Sequence, residues 1–369
     1  ERVGLSAVAS RDGEKAQKAA RAYGAPLAFD SYEAMARSDQ VDLVYLATPH
    51  SLHYEQAMMC MKNGKHVLCE KPMVVNEAQA LSMAQCAREN GVFLMEAMWS
   101  RFFPAAHKLR ALLEAGAIGD IWHITANFSS RSGYDPASRL YRMDLAGGSL
   151  LDIGVYPLMA VTGILGWNPQ RVQGLCVRHA CGVDVHESVQ LQYESGATAQ
   201  IFSGLMAPSD QKLTVFGSEG RIEMPGFWHP VSLSLFETGK EEERFAFPAE
   251  NEGFYHEFDH AAQRAYRPDV VRVGTDQFPV RDDADFGAAA ADVDVNVMSF
   301  AAEQVGNVTV VNHPRVFEPV DDFQPDAGLV MHFPGDLYAV RGVAHRRRRA
   351  GAVGRYVVHF HQKPESLHR

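Results

Sequence analysis

VLCEKPMVVNEAQA, residues 67–80, joins an apolar run to a helical pattern through an acid, a lysine and a proline. The apolar run has the length of a buried strand, and the segment from residue 77 onward carries the spacing of a helix. Asn76, with Gln79 three positions later, matches a capping box, which marks the start of a helix. The stretch therefore predicts a strand, a turn that contains Lys71, and a helix.

The same alternation of apolar runs and helical segments extends on both sides of this stretch. Apolar strands separated by helices of about 10 to 15 residues are typical of a parallel sheet that is covered on both faces. The sequence therefore predicts a doubly wound α/β domain. Its strands are expected at 3–12, 27–29, 42–48, 66–70 and 92–98, and its helices at 13–23, from 31, at 52–64 and at 77–90.

Beyond about residue 120 the apolar residues recur with period two. Residues 186–205 match two alternating strands joined at Ser195 and Gly196, and hairpin patterns follow over 212–225 and 230–237. One helical segment, 149–166, interrupts this region near its start. The pattern predicts an α+β domain in which helices cover one side of an open, mostly antiparallel sheet.

Composition and charge narrow the class of protein. The chain has 369 residues, long enough for two domains with separate cores, and 46% of them are hydrophobic. A formal net charge of -10 argues against nucleic acid as a partner, because phosphate binding needs a basic surface. No apolar run approaches the roughly 20 residues that span a bilayer, so no membrane association is expected. Five irregularly spaced cysteines favour a reducing, cytoplasmic location.

The ends of three predicted strands carry polar and aromatic side chains. Lys71 follows one strand, ATPHSLH (47–53) closes the preceding one, and MEAMWSRFFP (95–104) closes the next. In a parallel sheet, ligands bind at the carboxyl ends of the strands. Because Pro72 restricts the backbone beside it, the Lys71 side chain is expected to point into that crevice rather than to be a solvated cap.

Four motifs together resemble the glucose-fructose oxidoreductase and inositol dehydrogenase family, and most closely its dihydrodiol dehydrogenase branch. They are ATPHSLH, CEKPM, FLMEAMWSRFFP and GGSLLDIGVYP, which occur in the family's order between about Val3 and Gln263. The resemblance implies a Rossmann domain followed by an α+β domain whose open sheet face often forms a homodimer. It also implies hydride transfer between a nicotinamide and a hydroxyl-bearing carbon of a small diol or sugar.

The same resemblance implies three catalytic residues. Lys71 matches the active-site lysine, and Asp152 and Tyr156 match the acid and the tyrosine of the helix motif. Their separation of four residues places both side chains on one face of a helix. Tyr156 is then the expected general acid or base, its phenol eased toward ionisation by the lysine charge. The competing interpretation is that the Asp152 carboxylate only interacts with the positive end of the helix dipole and that the Tyr156 ring only packs in the core.

Aromatic residues are expected to line the substrate pocket. Trp99 matches a pocket aromatic of the dihydrodiol branch, and Trp228 is a weaker match to a second one. Phe102 and Phe103 would extend the apolar wall, which suits a ring-bearing substrate. Ordinary core packing is the alternative for all four. No metal ligand set is expected, since His179, Cys181, His186 and Glu187 lack the regular spacing of a zinc site.

Cofactor contacts are implied at the strand ends. The resemblance places Thr48, Pro49, His50, His53, Glu70 and Lys71 along the cofactor. At the end of the strand that meets the adenosine ribose, an acid selects NAD and an arginine accommodates the phosphate of NADP. Ser10 and Arg11 lie there and favour NADP. Asp12 follows them, and a contact of its carboxylate with the ribose would favour NAD instead; the competing interpretation is that Asp12 only begins the next helix.

Two departures from the family pattern affect these expectations. The Gly-rich turn after the first strand is absent from the sequence, so we expect an incomplete dinucleotide-binding domain at 1–100 with a gap in its sheet and weak NADP binding. The substrate and dimerisation domain is expected at 101–263. Residue usage then changes abruptly, and 264–369 is expected to be an aberrant or disordered extension.

Three functions remain open at this point. The first is an NADP-dependent dehydrogenase of a vicinal diol or sugar. The second is an NADPH-dependent keto-sugar reductase, which would use the same residues in reverse. The third is a nicotinamide-binding regulator or an inactive fragment; the joint presence of Lys71, Asp152 and Tyr156 argues against a regulator, and the missing turn argues for a fragment.

Overall fold

The computed structural model describes residues 3–248 and 253–265 and, as backbone strands, 293–294, 308–312 and 337–342. Two sheets organise these residues. The strands of the first sheet are β1 (Val3–Ala9), β2 (Leu27–Phe29), β3 (Leu43–Leu46), β4 (His66–Glu70), β5 (Leu94–Ala97), β14 (Val293–Asp294) and β16 (Leu337–Gly342), and its helices are α1 (Gly13–Tyr23), α2 (Tyr32–Arg37), α3 (His53–Lys62) and α4 (Glu77–Asn90).

The first sheet has the strand order β14-β5-β4-β3-β16-β1-β2. Its strands run parallel except β16, which pairs antiparallel with both β1 and β3. The predicted doubly wound domain is confirmed, but the expected gap with two unpaired edges is wrong. Exposed edge N–H and C=O groups pair with any extended segment that reaches them, and here residues 337–342 occupy that place.

Helix ends follow the local sequence signals. The Asp12 carboxylate accepts hydrogen bonds from the backbone N–H groups of Glu14 (3.0 Å) and Lys15 (3.1 Å), so Asp12 begins α1. The Asn76 side chain accepts the N–H of Gln79 at 3.0 Å and begins α4. Both predicted helices have the predicted bounds, because capping residues mark where they start and glycines in the left-handed region mark where they stop.

The second sheet contains nine strands in the order β13-β12-β11-β10-β6-β9-β8-β7-β15. All neighbours are antiparallel except β6 with β9 and β7 with β15. The strands are β6 (Ile121–Ser129), β7 (Arg171–Arg178), β8 (Asp184–Gln192), β9 (Thr198–Gly204), β10 (Lys212–Gly217), β11 (Gly220–Pro225), β12 (Ser232–Glu237), β13 (Glu243–Ala246) and β15 (Val308–Asn312); helices α5 (Pro104–Glu114) and α6 (Val155–Leu165) belong to the same region.

Helix α6 lies against one face of the second sheet and is buried along nearly its whole length. The helical stretch Met143–Leu165 is long and apolar enough to cross a membrane by length and composition, but 78% of its most apolar window is buried inside the protein. A helix in the core of a protein can have the same length and the same apolar composition. The burial of α6 fixes the position of the motif GGSLLDIGVYP that leads into it.

The chain after the second sheet returns to the first. Helix α7 (Tyr255–Ala265) buries Ala261 in a cluster with Leu43, Tyr45 and Leu68 of the parallel sheet. The predicted boundary at 263 therefore falls inside a helix that belongs to the first sheet. Of the predicted extension 264–369, the end of α7 and the strands β14, β15 and β16 are described, and the rest lies outside the described residues.

Candidate active site

Lys71, Asp152 and Tyr156 converge where the first sheet meets α6. The Lys71 Nζ donates to the backbone carbonyl of Asp152 at 2.6 Å and lies 3.5 Å from the Asp152 Oδ1. The same ammonium stands over the Tyr156 ring, 5.1 Å from its centre. The three predicted catalytic side chains are thus gathered at one point, although they come from two different domains.

The backbone that carries Asp152 has an unusual form. Residues Leu150–Gly154 make a π-helical turn that runs directly into α6, where Tyr156 lies. Such turns insert one extra residue into a helix and are frequent at functional sites. Here the turn directs both the carbonyl and the carboxylate of Asp152 toward Lys71. The side chains of Lys71 and Asp152 are only 15% and 10% exposed, so their contact meets little competition from water.

Arg139 is a fourth, charged member of the cluster that the sequence analysis did not identify. Its guanidinium forms an ion pair with Asp152, 2.8 Å from Oδ1, and donates to His50 Nε2 at 3.3 Å. Arg139 begins a short 3-10 turn in the loop between β6 and α6. Its side chain is 47% exposed, so it lies at the rim of the site. No strand-end or helix-spacing rule points to a loop arginine, which is why it was missed.

The opposite charges of this cluster stabilise each other. Burial would raise the pKa of Asp152, but Lys71 and Arg139 outweigh it and hold that pKa well below its usual range. Burial would likewise lower the pKa of Lys71, but Tyr156, Asp152 and Glu70 outweigh it and raise it. Lys71 is therefore an ammonium and Asp152 a carboxylate at neutral pH, and with Arg139 the three groups leave one excess positive charge.

Tyr156 differs from the expectation in its ionisation. Burial raises the pKa of the phenol above its usual value, and the Lys71 charge offsets only part of that increase. The Lys71 charge does lower the pKa of the phenol, as expected, but burial raises that pKa by more. The net shift is therefore opposite to the expectation. The hydroxyl accepts a hydrogen bond from the Trp99 indole N–H at 3.0 Å. At neutral pH Tyr156 is a protonated donor held in one place.

The two predicted histidines have different environments. His50 Nδ1 donates to the Ala146 carbonyl at 3.1 Å, which leaves Nε2 to accept from Arg139. Burial lowers the pKa of His50 to about 3, so the ring is neutral and 3.9 Å from Asp152. His53 is fully buried and contacts the carbonyls of Pro72 and Thr48 at 2.9 and 2.7 Å. Both of its nitrogens are thus occupied by loops of the protein.

The remaining predicted cofactor contacts lie at the same edge of the first sheet. Glu70 accepts the Tyr45 hydroxyl on Oε1 and the Lys71 backbone N–H on Oε2 at 3.1 Å. Burial raises the pKa of Glu70. Thr48 is buried and donates its hydroxyl to Gln56 at 2.6 Å, and Pro49 precedes the 3-10 turn that starts at His50. These residues shape the crevice, and their contact with a cofactor stays a prediction.

The adenosine end of the crevice fits the predicted NADP. Ser10 is buried at the end of β1, and its hydroxyl accepts the N–H of Asp12 at 3.3 Å. Arg11 beside it is exposed. Because the carboxylate of Asp12 is engaged in starting α1, it is not presented to a ribose. An exposed arginine without a competing acid suits a 2'-phosphate better than a 2'-hydroxyl.

An aromatic wall stands next to Tyr156. Trp99 stacks on Phe254 at 4.2 Å between ring centres, and it contacts Phe103 edge-on at 5.4 Å. Phe128 stacks on Trp228 at 5.2 Å and meets the Tyr156 ring at 5.4 Å, and the Trp228 ring lies 6.2 Å from the Trp99 ring. Aromatic pairs in these geometries contribute about 0.5–1.5 kcal/mol beyond their burial. Sequence reasoning predicted Trp99 and Trp228 but missed Phe128 and Phe254.

Phe102 does not belong to this wall. It packs with Met95, Ala97 and Ala261 in the apolar cluster under α7 and lies 4.9 Å from the His260 ring. Trp99 and Phe102 belong to one 3-10 turn, and the adjacent Phe103 packs on the Trp99 side. Phe103 is thus the phenylalanine that adjoins Trp99, and a contact of Phe102 with the substrate stays a prediction.

In the part of the chain that the structure describes, no group of three or more His, Cys, Asp or Glu side chains could hold a metal ion. His179 and Cys181 approach each other at 3.1 Å, but His179 also packs against Tyr134 at 4.4 Å. Glu187 lies elsewhere, under the start of α6.

Both domains of the protein match families of known proteins. Residues 1–98 match the model of an oxidoreductase family with an NAD-binding Rossmann fold, and residues 106–223 match the GFO/IDH/MocA C-terminal domain. A trans-1,2-dihydrobenzene-1,2-diol dehydrogenase from Xenopus laevis is 36% identical over 306 residues, which cover 81% of this chain and 89% of the relative. The chain belongs to the GFO/IDH/MocA oxidoreductase family. The enzyme of the same name from Sus scrofa is 37% identical over 237 residues, covering 64% of this chain and 70% of that one.

Solved structures show the same fold. A 3-ketoreductase from Actinomadura kijaniata, in complex with NADP and TDP-benzene, superposes with a TM-score of 0.72 at 26% identity, covering 84% of this chain and 91% of that one. An aldose-aldose oxidoreductase from Caulobacter crescentus, complexed with glycerol, gives a TM-score of 0.65 at 27% identity over 70% and 81% of the two chains. The family resemblance inferred from the four motifs is confirmed.

Proposed function

We propose that this protein is an NADP-dependent oxidoreductase that moves a hydride to or from the carbinol carbon of a small vicinal diol or sugar. The observation that carries this proposal is the cluster of Lys71, Asp152 and Tyr156 at the junction of the two domains. The family membership and the dehydrogenases and reductases among its relatives support it. Its cofactor preference rests on Arg11 and on the NADP-bound neighbours.

Tyr156 is the residue that handles the proton. Its hydroxyl is neutral, buried and held by the Trp99 N–H, so it can donate a proton to a substrate oxygen or, in reverse, take one back. A bound nicotinamide supplies the hydride chemistry at the neighbouring carbon. When the proton leaves Tyr156, negative charge on its oxygen is stabilised by the Lys71 ammonium and by the indole donor.

Lys71 orients the substrate hydroxyl and stabilises the oxygen while it carries negative charge. Its ammonium is fixed by the carbonyl and carboxylate of Asp152, so it needs little reorganisation when the substrate binds. Arg139 keeps Asp152 ionised from the solvent side. The Lys71 ammonium favours an alkoxide over a neutral hydroxyl, which is the direction that hydride removal requires.

The aromatic wall determines which substrates suit the site. Trp99 with Phe254 and Trp228 with Phe128 form one aromatic surface beside Tyr156. Such surfaces favour a ring that presents an apolar face and hydroxyls at its edge. A cyclic diol or a pyranose has this form, whereas an extended anionic acid does not.

A second candidate is the reduction of a keto sugar by NADPH. The raised pKa of Tyr156 favours it, because a phenol that stays protonated at neutral pH is a better proton donor than acceptor. A neighbouring structure is named a 3-ketoreductase. Both candidates use the same residues, and the ratio of the two rates at neutral pH separates them.

We also propose that the protein is a cytoplasmic homodimer. The face of the second sheet opposite α6 exposes the aromatic and aliphatic side chains of Phe216 and Leu175. A homodimer through this open face would cover them. All five cysteines are free thiols, four of them buried, which is consistent with a reducing cytoplasm. Light scattering of the protein and of a Leu175→Asp, Phe216→Asp variant tests the dimer, which the variant should dissociate.

The proposed function is tested by NADP(H)-linked turnover over a panel of cyclic diols, pentoses and keto sugars. We expect turnover of at least one ring-bearing member, and we expect its loss in Tyr156→Phe. Leu81→Ala, on the exposed side of α4, is the matched control and should behave like the parent. Turnover that survives Tyr156→Phe unchanged would contradict the assignment of the proton to Tyr156.

A further inference from the structure

Beneath the turn that carries Asp152 lies a pair of carboxyl groups that the proposed chemistry does not use. Glu187, on β8, is 4% exposed. Its Oε1 accepts the Ser149 hydroxyl at 3.0 Å and also the Ser203 hydroxyl. Its Oε2 has no hydrogen-bond partner within the described residues. A buried carboxylate oxygen without a donor is costly, so the state of this group needs an explanation.

Asp184, three residues earlier on β8, holds the start of the same turn. Its Oδ2 accepts the backbone N–H of Leu150 at 2.6 Å. The N–H groups at the start of a helix have no partner inside the helix, and a carboxylate there is stabilised by the helix dipole. Asp184 therefore fixes the first residue of the turn that carries Asp152.

Two glycines let the turn approach these carboxyl groups closely. A Cβ on Gly154 would lie 2.6 Å from the Ser203 hydroxyl oxygen and 3.1 Å from Glu187 Oε1. A Cβ on Gly148 would collide with the Asp184 carboxylate, and Gly148 has a φ of +119. The backbone thus passes over the pair at a distance that only glycine allows.

The pattern of donors identifies the form of Glu187. Both hydroxyl donors go to Oε1 and none to Oε2, and a hydrogen carried on Oε2 turns that orphaned acceptor into a donor. Burial and the neighbouring Asp184 raise the pKa of Glu187 well above its usual value, in agreement with a neutral acid. An O–H on Oε2 that donates to Asp184 would leave neither carboxyl oxygen orphaned.

We propose that Glu187, as a neutral acid, and Asp184, as its carboxylate partner, form a clamp that positions the active-site turn and thereby Asp152 and Lys71. The mechanical link is short. The Asp152 N–H donates to the Gly148 carbonyl at 3.3 Å, and the Asp152 carbonyl receives the Lys71 ammonium. Glu187 is thus a positioning residue that acts through the backbone of Asp152. The part of this inference that concerns turnover rests on the proposed function.

The first test reads the form of Glu187 without using activity. The infrared difference spectrum of the glutamate-13C-labelled parent minus Glu187→Gln, at neutral pH, should contain the carbonyl stretch of a neutral carboxylic acid. The buried Glu257 is present in both proteins, so its band cancels. Carboxylate bands in place of the acid band would overturn the proposal.

The second test separates positioning from overall stability. A displacement of about 1 Å at reacting groups costs on the order of 100-fold, so kcat should fall about 10- to 100-fold in Glu187→Ala with KM for NADPH unchanged. Glu187→Gln keeps one acceptor and one donor and should restore kcat to near the parent value. Glu194→Ala and Glu194→Gln, at the exposed turn that follows the same strand, are the matched controls.

Each result of the second test bears on the clamp. Parent-like kcat in Glu187→Ala, or an equal loss in Glu187→Gln, would overturn it. If Glu187→Ala does not fold, Asp184→Asn tests the same clamp, and an unchanged kcat there would overturn it as well. If the parent turns over no substrate, the proposed function fails, and amide hydrogen exchange at Asp152 then decides: it should accelerate in Asp184→Asn and not in Glu187→Gln.

Discussion

Replacing Trp99 by phenylalanine removes the indole hydrogen bond to Tyr156, together with part of the ring surface that faces Trp228 and His229. The indole N–H donates to the Tyr156 oxygen at 3.0 Å, while the stacking on Phe254 and the edge contact with Phe103 remain available to a smaller ring. A hydrogen bond between neutral groups contributes about 0.5–1.5 kcal/mol, and one to a charged group about 1.5–3 kcal/mol. As the proton leaves Tyr156, the same bond changes from the first kind to the second.

The difference between the two, about 1 to 1.5 kcal/mol, is the part that lowers the barrier. We therefore expect kcat to fall about 5- to 13-fold in Trp99→Phe, with the KM for NADPH unchanged. Steady-state kinetics of NADPH oxidation with a saturating keto sugar measures this directly.

Trp228→Phe is the matched control for this prediction. The Trp228 indole N–H donates to Gln211 at 2.8 Å and not to Tyr156. Its replacement should therefore change the KM for the substrate through the aromatic wall and leave kcat near the parent value. A kcat within twofold of the parent in Trp99→Phe, or an equal loss in both variants, would refute the role given to the indole donor.

Three further outcomes are expected. Lys71→Met should lower turnover by about 100-fold or more while NADPH affinity, measured by fluorescence titration, stays nearly the same; activity within a few-fold of the parent would remove Lys71 from the mechanism. Arg11→Ala should lower the preference for NADP over NAD by about 10- to 100-fold in kcat/KM, and an unchanged preference would mean that the ribose is misplaced. Because the folded-state pKa of His50 is lowered to about 3 and that of His53 is also lowered, the unfolded chain binds more protons below about pH 6.5, so the urea midpoint should fall as pH drops from about 7 to 5. A midpoint that stays constant over that range would contradict the burial of these rings.

The parts of the fold that the sequence predicted are those fixed by local chemistry. Asp12 and Asn76 begin helices where their side chains can accept the first N–H groups, and apolar runs between such helices form a parallel sheet. The position of β16 could not be predicted in this way. Its place between β1 and β3 depends on pairing across more than 290 residues of chain, about which a local pattern carries no information.

The candidate site likewise contains some residues that local patterns predicted and others that they could not predict. Asp152 and Tyr156 share one helical segment and Lys71 follows a strand, so spacing rules and the family motifs found all three. Arg139 and Glu187 act only through contacts made after folding, one from a loop and one from a sheet face. The position of Phe102 could not be predicted for a similar reason, because residues of one 3-10 turn face different clusters and their sequence does not indicate which residue faces which cluster.

The central claim is that Tyr156 and Lys71 serve hydride transfer between NADP(H) and a ring-bearing diol or sugar. The most direct measurement incubates the protein with NADPH deuterated at the transferable position and a panel of cyclic keto sugars, and follows the products by mass spectrometry. The account predicts an alcohol product that carries one deuterium on its carbinol carbon, formed by the parent and lost in the Lys71→Met, Tyr156→Phe double variant. Deuterium-free products, or equal labelling by the double variant, would contradict it.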